Sequence, residues 1–252
     1  MKKVIAITNQ KGGVGKTTTA LSLIGALKQK KRRVLGVDLD PQGSLGFSAG
    51  VDIENSATIY DVLSGKEPIE NAIASTDLGD FLPSNILLSR AEREFNEAGR
   101  ECMLRNELRK IMGSYDYIII DTPPALNMLT LNAYVAAEGL IIPMAPEILS
   151  LLGIAQIRET IESVRRDYNP YLEVLGILLN RYNMRLLLNR EVLEMTQDIA
   201  RSLGTKVFQA KIHASVSVAE SPAHGESIIT YAPSSKPARD FKALLNELDY
   251  GR

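Results

Sequence analysis

The chain has 252 residues, of which 45% are hydrophobic and 23% charged, and its formal net charge is −1. That length suits one α/β domain with a substantial core, and near-neutrality excludes a protein that coats nucleic acid by bulk charge, because cation–phosphate contacts supply most of such affinity. The lone cysteine, Cys102, excludes an internal disulfide and a cysteine-cluster metal site; no apolar run is long enough to cross a bilayer, so a cytoplasmic protein without a membrane span is expected.

Val4–Thr8 is a short β-rich run that stops at a glycine-rich loop, and helical spacing follows from Lys16 to Lys31. The next strands expected are Arg33–Asp38, Tyr117–Asp121, Gly139–Pro143, Val174–Asn180, Thr205–Gln209 and Ser227–Tyr231. Helix-length segments separate most of them, at Ser89–Met112, Glu147–Tyr168, Asn189–Leu203 and Ala238–Leu248. Strands alternating with helices predict an α/β fold, a mostly parallel sheet with helices on both faces. No repeat, low-complexity tract or Gly/Ser linker divides the chain, so residues 1–252 are expected to form one domain. Two histidines, His213 and His224, have no companion ligands and read as ordinary loop or core residues, because metal sites need three or four.

In such sheets ligands bind beyond the carboxyl ends of the strands. Three expected strands end there in chemistry-bearing residues: Thr8 leads into the glycine loop, Asp38 into Asp40, and Ile120 into Asp121. The loop itself reads Gln10-Lys11-Gly12-Gly13-Val14-Gly15-Lys16-Thr17-Thr18. Glycines let the backbone turn tightly and bring its N–H groups within reach of phosphate oxygens. Lys16 opens a helix whose dipole also favours an anion. In a phosphate loop this lysine spans the terminal phosphates of ATP, the Thr17 hydroxyl completes a Mg²⁺ shell and Thr18 reaches the α-phosphate. Gln10 stands where the standard pattern has its first glycine, which makes this loop a variant. Tyr117–Asp121 has the form of a Walker B strand, buried β-branched residues and then a carboxylate, and Asp121 is expected to hold Mg²⁺ through water.

Lys11-Gly12-Gly13-Val14-Gly15-Lys16-Thr17-Thr18 resembles the deviant Walker A loop of the ParA/MinD group of P-loop ATPases, and Ile5-Ala6-Ile7-Thr8-Asn9-Gln10 is similar to the opening of Soj/ParA partition proteins. The resemblance runs along nearly the whole chain. It implies a P-loop NTPase fold and a slow, Mg²⁺-dependent ATPase that dimerises around ATP, with Lys11 reaching the partner's nucleotide. A second cation there would offset charge that develops during phosphoryl transfer. It further implies that Asp40, in Asp38-Leu39-Asp40-Pro41-Gln42-Gly43, positions the attacking water, with Asp38 near the Mg²⁺ hydration shell. Thr122-Pro123-Pro124 would report nucleotide state, and Asn180 would contact adenine; a plain strand-end cap suits Asn180 equally well.

The same resemblance implies that the ATP-bound dimer binds DNA nonspecifically for chromosome or plasmid partition and that a ParB-like partner triggers hydrolysis. Ser215–Gly225 is similar to a Soj/ParA stretch in which an arginine belongs to the DNA-binding surface; here that position is Ser217. Arg185 falls near another basic position of that surface, and Arg181, Arg190, Lys206 and Lys211 could add charge around it. Lys28–Arg33 is the densest basic run; its position at a helix end, where cations complement the dipole, is favoured over a nucleic-acid patch as its explanation. The final helix places Phe241, Leu244, Leu245 and Leu248 on one face and mixes both signs of charge on the rest. That suits a helix folded onto its own core and disfavours a MinD-like membrane anchor. The alternatives are a nucleotide-gated ATPase that positions a protein cargo and a MinD-like membrane-surface ATPase.

Overall fold

A computed structural model describes residues 3–95 and 97–250. Its eight strands are β1 (Val4–Ile7), β2 (Val34–Asp38), β3 (Ala74–Thr76), β4 (Gly79–Leu82), β5 (Tyr117–Asp121), β6 (Gly139–Met144), β7 (Glu173–Tyr182) and β8 (Ile212–His213). They form one sheet in the order β3-β4-β2-β5-β1-β6-β7-β8. Every neighbouring pair is parallel except β3 with β4, as the alternation of elements predicted.

The central strands are buried on both sides, so their side chains divide by alternation between two cores. Val4, Ala6, Ile118 and Ile120 face one core, which is closed by helices α3 (Met103–Ile111), α4 (Met128–Ala136), α5 (Ile148–Asp167) and α6 (Leu187–Ser202). Ile5, Ile7 and Ile119 face the other, which is closed by α1 (Lys16–Gln29) and the final helix α7 (Lys236–Tyr250). Between β2 and β4 a five-residue helix, α2 (Ser44–Ser48), continues the turn that follows Asp38.

Phe241, Leu244 and Leu245 are fully buried and Leu248 packs against them, so α7 folds onto the core as its mixed charge predicted. α1 presents Ala20, Leu21, Leu23, Ile24 and Leu27 to the same core. It stops at Lys31, which adopts a left-handed φ of 57°.

Two expected strands differ. Ser227–Tyr231 folds as a helical turn, Ile228–Tyr231, with Ser227 at its N-cap. Ile228 and Ile229 are consecutive and both buried, a pattern that a turn wedged under α1 satisfies and an alternating strand does not. Thr205–Gln209 makes one isolated bridge, Val207 to Ile177, and the edge strand comes later, at Ile212–His213. The expected helix Ser89–Met112 is interrupted at Phe95 and at residues 97–99, where Gly99 takes φ 86°, and among the described residues only Met103–Ile111 is a sustained helix; Asn96 lies outside the described residues. Among the described residues no helix is long and apolar enough to cross a membrane.

Candidate nucleotide-binding site

Strands β2, β5 and β1 are adjacent, and their register sets Asp121 beside both Asp38 and Ile7. The carboxyl ends of three strands thus deliver two aspartates and the glycine loop to one place, the convergence expected from the order of elements.

The loop is held from several directions. The Asn9 side chain donates to the Pro143 carbonyl at 2.8 Å and accepts from the Lys11 amide at 3.0 Å, which fixes where the chain leaves β1. At the far end Asn180 donates to the Val14 carbonyl at 2.7 Å, and the Arg181 guanidinium bonds the Gly13 carbonyl. Arg181 itself has φ 53°, a left-handed conformation uncommon outside glycine. Gly15 is obligatory on two grounds. Its φ is 91°, and a Cβ there would lie 2.5 Å from Asn180 Nδ2.

Lys16 is 7% exposed, with Nζ 3.4 Å from the Lys11 carbonyl. Burial lowers its pKa, and the charges of Asp121 and Asp40 oppose that shift. Thr17 Oγ1 donates to Asp121 Oδ2 at 2.6 Å, and Asp121 Oδ1 is buried without a partner. Burial, reinforced by the neighbouring Asp38 charge, raises the Asp121 pKa well above the carboxylate range. A fully buried carboxylate with an idle oxygen is costly in isolation. Together with a hydroxyl and an ammonium group it forms a donor set suited to a hard cation and phosphate oxygens. The residues therefore fit Mg²⁺ and a nucleotide polyphosphate.

Asp38 has a different occupation. Its carboxylate accepts from the amides of Asp40 (3.0 Å), Leu45 (2.9 Å) and Gly46 (3.3 Å), and so braces the turn after β2 and the start of α2. Burial pushes its pKa up to about 7 against the pull of those amides. Asp40 is partly exposed; one oxygen accepts from the Gln42 amide at 3.0 Å, and the other has no partner among the described residues. It is the carboxylate of the pair that is free to act on a bound molecule.

The Lys11 ammonium group pairs with the Glu147 carboxylate at the start of α5 and lies 3.3 Å from Ser150 Oγ. Neither partner was expected, because residues 136 and 139 positions downstream leave no local signal of pairing. Gly12 and Gly13 are exposed at the loop tip, Val14 is buried beneath it, and Thr18 lines a cavity of about 340 Å³ that continues past Asn180.

Of the three basic residues expected to meet DNA, Lys206 and Lys211 are engaged within the chain. Lys206 pairs with Glu247 at 3.2 Å, and Lys211 is half-buried with its ammonium on the Gln209 carbonyl. The Arg185 guanidinium has no partner among the described residues, and only its backbone amide is engaged, by Asn183. Ser217 lies on a short helix, Val216–Glu220, and its hydroxyl meets that of Ser215 at 2.7 Å.

Residues 2–174 match the family model described as an AAA domain. Over 252 residues the chain is 41% identical to the chromosome partitioning protein ParA of Caulobacter vibrioides, covering 98% of this chain and 93% of that one. It is 41% identical over 244 residues to the chromosome-partitioning ATPase Soj of Thermus thermophilus, covering 97% and 94%. Among solved structures, a Mycobacterium smegmatis protein titled cobyrinic acid a,c-diamide synthase, with bound ADP and magnesium, is similar at a TM-score of 0.85 and 38% identity, with 100% of this chain and 97% of that chain covered.

Proposed function

The chain belongs to the ParA/Soj family of P-loop NTPases, and we propose that it is a single-domain, Mg²⁺-dependent ATPase that dimerises around ATP to position DNA by partition. The observation that carries the reading is the Thr17–Asp121 pair, with its idle buried oxygen, set against Lys16 beneath the glycine loop. Thr17 and Asp121 would hold Mg²⁺, which would supply charge neutralisation at the terminal phosphates of ATP. The amides of Gly12, Gly13, Val14 and Gly15 cradle the phosphates, Lys16 spans the terminal ones, and Thr18 meets the α-phosphate. Asp40 orients the attacking water with its free oxygen, and Asp38 holds the turn that carries Asp40 and would help order the water shell of a bound Mg²⁺. Lys11 leaves Glu147 and reaches the nucleotide of the second subunit, so that ATP becomes part of the interface.

The ATP dimer then binds DNA without sequence preference, and a ParB-like partner accelerates hydrolysis and release in the cytoplasm or on the nucleoid. Arg185, with Lys206 and Lys211, is the candidate surface. Because the chain carries a net charge of −1, useful affinity requires two copies of a local patch. The apolar face of α7 is buried, which speaks against a membrane role for it. A second reading, positioning of a protein cargo without DNA, is favoured by Ser217 at the arginine position and by the engagement of Lys206 with Glu247. The test is anisotropy of long duplex DNA at two salt concentrations with the Asp40→Ala variant and ATP. Binding that weakens with salt, fails in Asp40→Ala/Lys11→Ala, falls in Asp40→Ala/Arg185→Glu and rises in Asp40→Ala/Ser217→Arg supports partition. A trapped dimer that ignores DNA at low salt supports the cargo reading.

A further inference from the structure

The basic run Lys28–Arg33 lies at the pole opposite the nucleotide site. It joins the end of α1 to the amino end of β2, whereas the glycine loop and the turns after β2 and β5 follow the carboxyl ends of parallel strands. With Gly79 and Asp80 at the start of β4, Lys28, Lys31, Arg32 and Arg33 line a cleft of about 360 Å³, four cations against one carboxylate. Asp80 is already engaged, accepting from Ser75 Oγ at 2.7 Å and from Tyr115 Oη at 2.9 Å.

The helix end does not require these cations. The Arg32 amide donates to the Leu27 carbonyl at 3.1 Å and the Lys31 amide to the Lys28 carbonyl at 2.8 Å, so backbone groups close the last turn of α1. Lys31 occupies the left-handed position of that closure, with φ 57°, where glycine is the usual residue and a side chain costs stability. Lys30 and Arg33 are tied to Asp249 at 2.9 Å and to Asp116 at 3.3 Å, which anchors the chain on either side of Lys31 and Arg32. Lys28, Lys31 and Arg32 are exposed and make no side-chain hydrogen bond or ion pair among the described residues; Arg32 acts on Asp116 only at a distance. None of the exposed large hydrophobic side chains belongs to the cleft, so it lacks the apolar anchors of a membrane-binding surface and suits a soluble polyanion.

We infer that Lys28, Lys31 and Arg32 form a second phosphate-contacting surface for duplex DNA, so that one ATP-bound dimer holds two duplexes together. The inference rests on the partition reading, in which two chains meet through their nucleotide poles and DNA lies against Arg185, beyond the carboxyl end of β7. Joining the chains at those poles turns the basic clefts outward, to the far ends of the dimer, away from a duplex held near the interface. Unpaired cations without base-reading partners suit contact with the backbone alone, which carries no sequence preference.

The test uses the whole chain with a non-hydrolysable ATP analogue and Mg²⁺, one duplex held on beads and a second, fluorescent duplex of unrelated sequence in solution. Wild type should retain the fluorescent duplex. Lys28→Gln/Lys31→Gln/Arg32→Gln should retain on the order of tenfold less, while its affinity for ATP and for the bead-held duplex stays near that of wild type. Raising salt should abolish retention before it abolishes binding of the first duplex, because retention needs both sets of phosphate contacts. Lys31→Gly keeps the left-handed turn and should melt no lower than wild type, so its expected loss of retention, roughly threefold, cannot come from misfolding. Retention by the triple variant equal to that of wild type overturns the inference and leaves the partition reading intact. Unchanged retention together with lost binding to phosphatidylglycerol vesicles would assign the cleft to a lipid surface and overturn the inference likewise. A wild type that binds neither duplex at low salt overturns the partition reading, and the inference with it.

Discussion

Glu147→Gln is expected to make dimerisation easier. The Lys11–Glu147 pair holds the lysine against its own α5, while the proposed dimer needs it at the nucleotide of the other subunit. With the two side chains 31% and 53% exposed, the pair is substantially solvated, and pairs of that kind contribute about 0.2–1 kcal/mol. Each dimer releases two of them, about 0.4–2 kcal/mol in total, which lowers the dimer dissociation constant roughly two- to thirty-fold. The Lys11 hydrogen bond holds the Glu147 carboxyl below its usual range. A depressed folded-state pKa means that the contact is present above the ordinary carboxylate range and is lost as pH falls through the depressed value. Assays at neutral pH therefore see it in full. The measurement is sedimentation velocity across a concentration series with a non-hydrolysable ATP analogue and Mg²⁺, at low and high salt. The gap between wild type and variant should narrow at high salt, where the pair is screened. A variant that dimerises no better than wild type at low salt refutes the idea that Glu147 competes for Lys11.

Two further substitutions address the phosphate site. Thr17→Val keeps the shape but removes the hydroxyl that bonds Asp121; the variant should lose the effect of Mg²⁺ on ADP affinity, so that chelation weakens binding in wild type and hardly at all in the variant, as calorimetry would show. Gly15→Ala combines a φ of 91° with a contact 2.5 Å from Asn180; thermal denaturation should reveal a loss of at least about 1–2 kcal/mol, and a melting temperature equal to that of wild type would contradict the strain argument.

The sheet and the phosphate loop were legible because their signals are local. A hydrophobic run, three glycines at fixed spacing and a lysine at a helix start lie within twenty residues, and Tyr117–Asp121 repeats the strand signal with one carboxylate at its end. Elements whose identity depends on distant partners were not legible. Gly79–Leu82 is four residues long and contains Asp80, so its pairing with β2 decides its state. Met128–Ala136 is buried on most of its surface and shows little amphipathic contrast. Ser227–Tyr231 has the composition of a strand but sits where α1 leaves room for a turn, with Ser227 Oγ against Gly25, where a Cβ would collide with it. The site divides in the same way. The resemblance gives Asp38 and Asp40 different roles, but only the fold shows that Asp38 braces the turn through backbone amides while Asp40 keeps a free oxygen. The partners of Lys11 and the pairing of His213 with Asp240 are contacts across 136 and 27 residues, which spacing cannot anticipate.

The central claim, that nucleotide draws two chains together through Lys11, is tested most directly by the solution mass of Asp40→Ala. Light scattering with ATP and Mg²⁺ should give twice the chain mass, with ADP the mass of one chain, and Lys11→Ala in the same background should remain single with either nucleotide. A single-chain mass for Asp40→Ala at saturating ATP and Mg²⁺ would contradict the account.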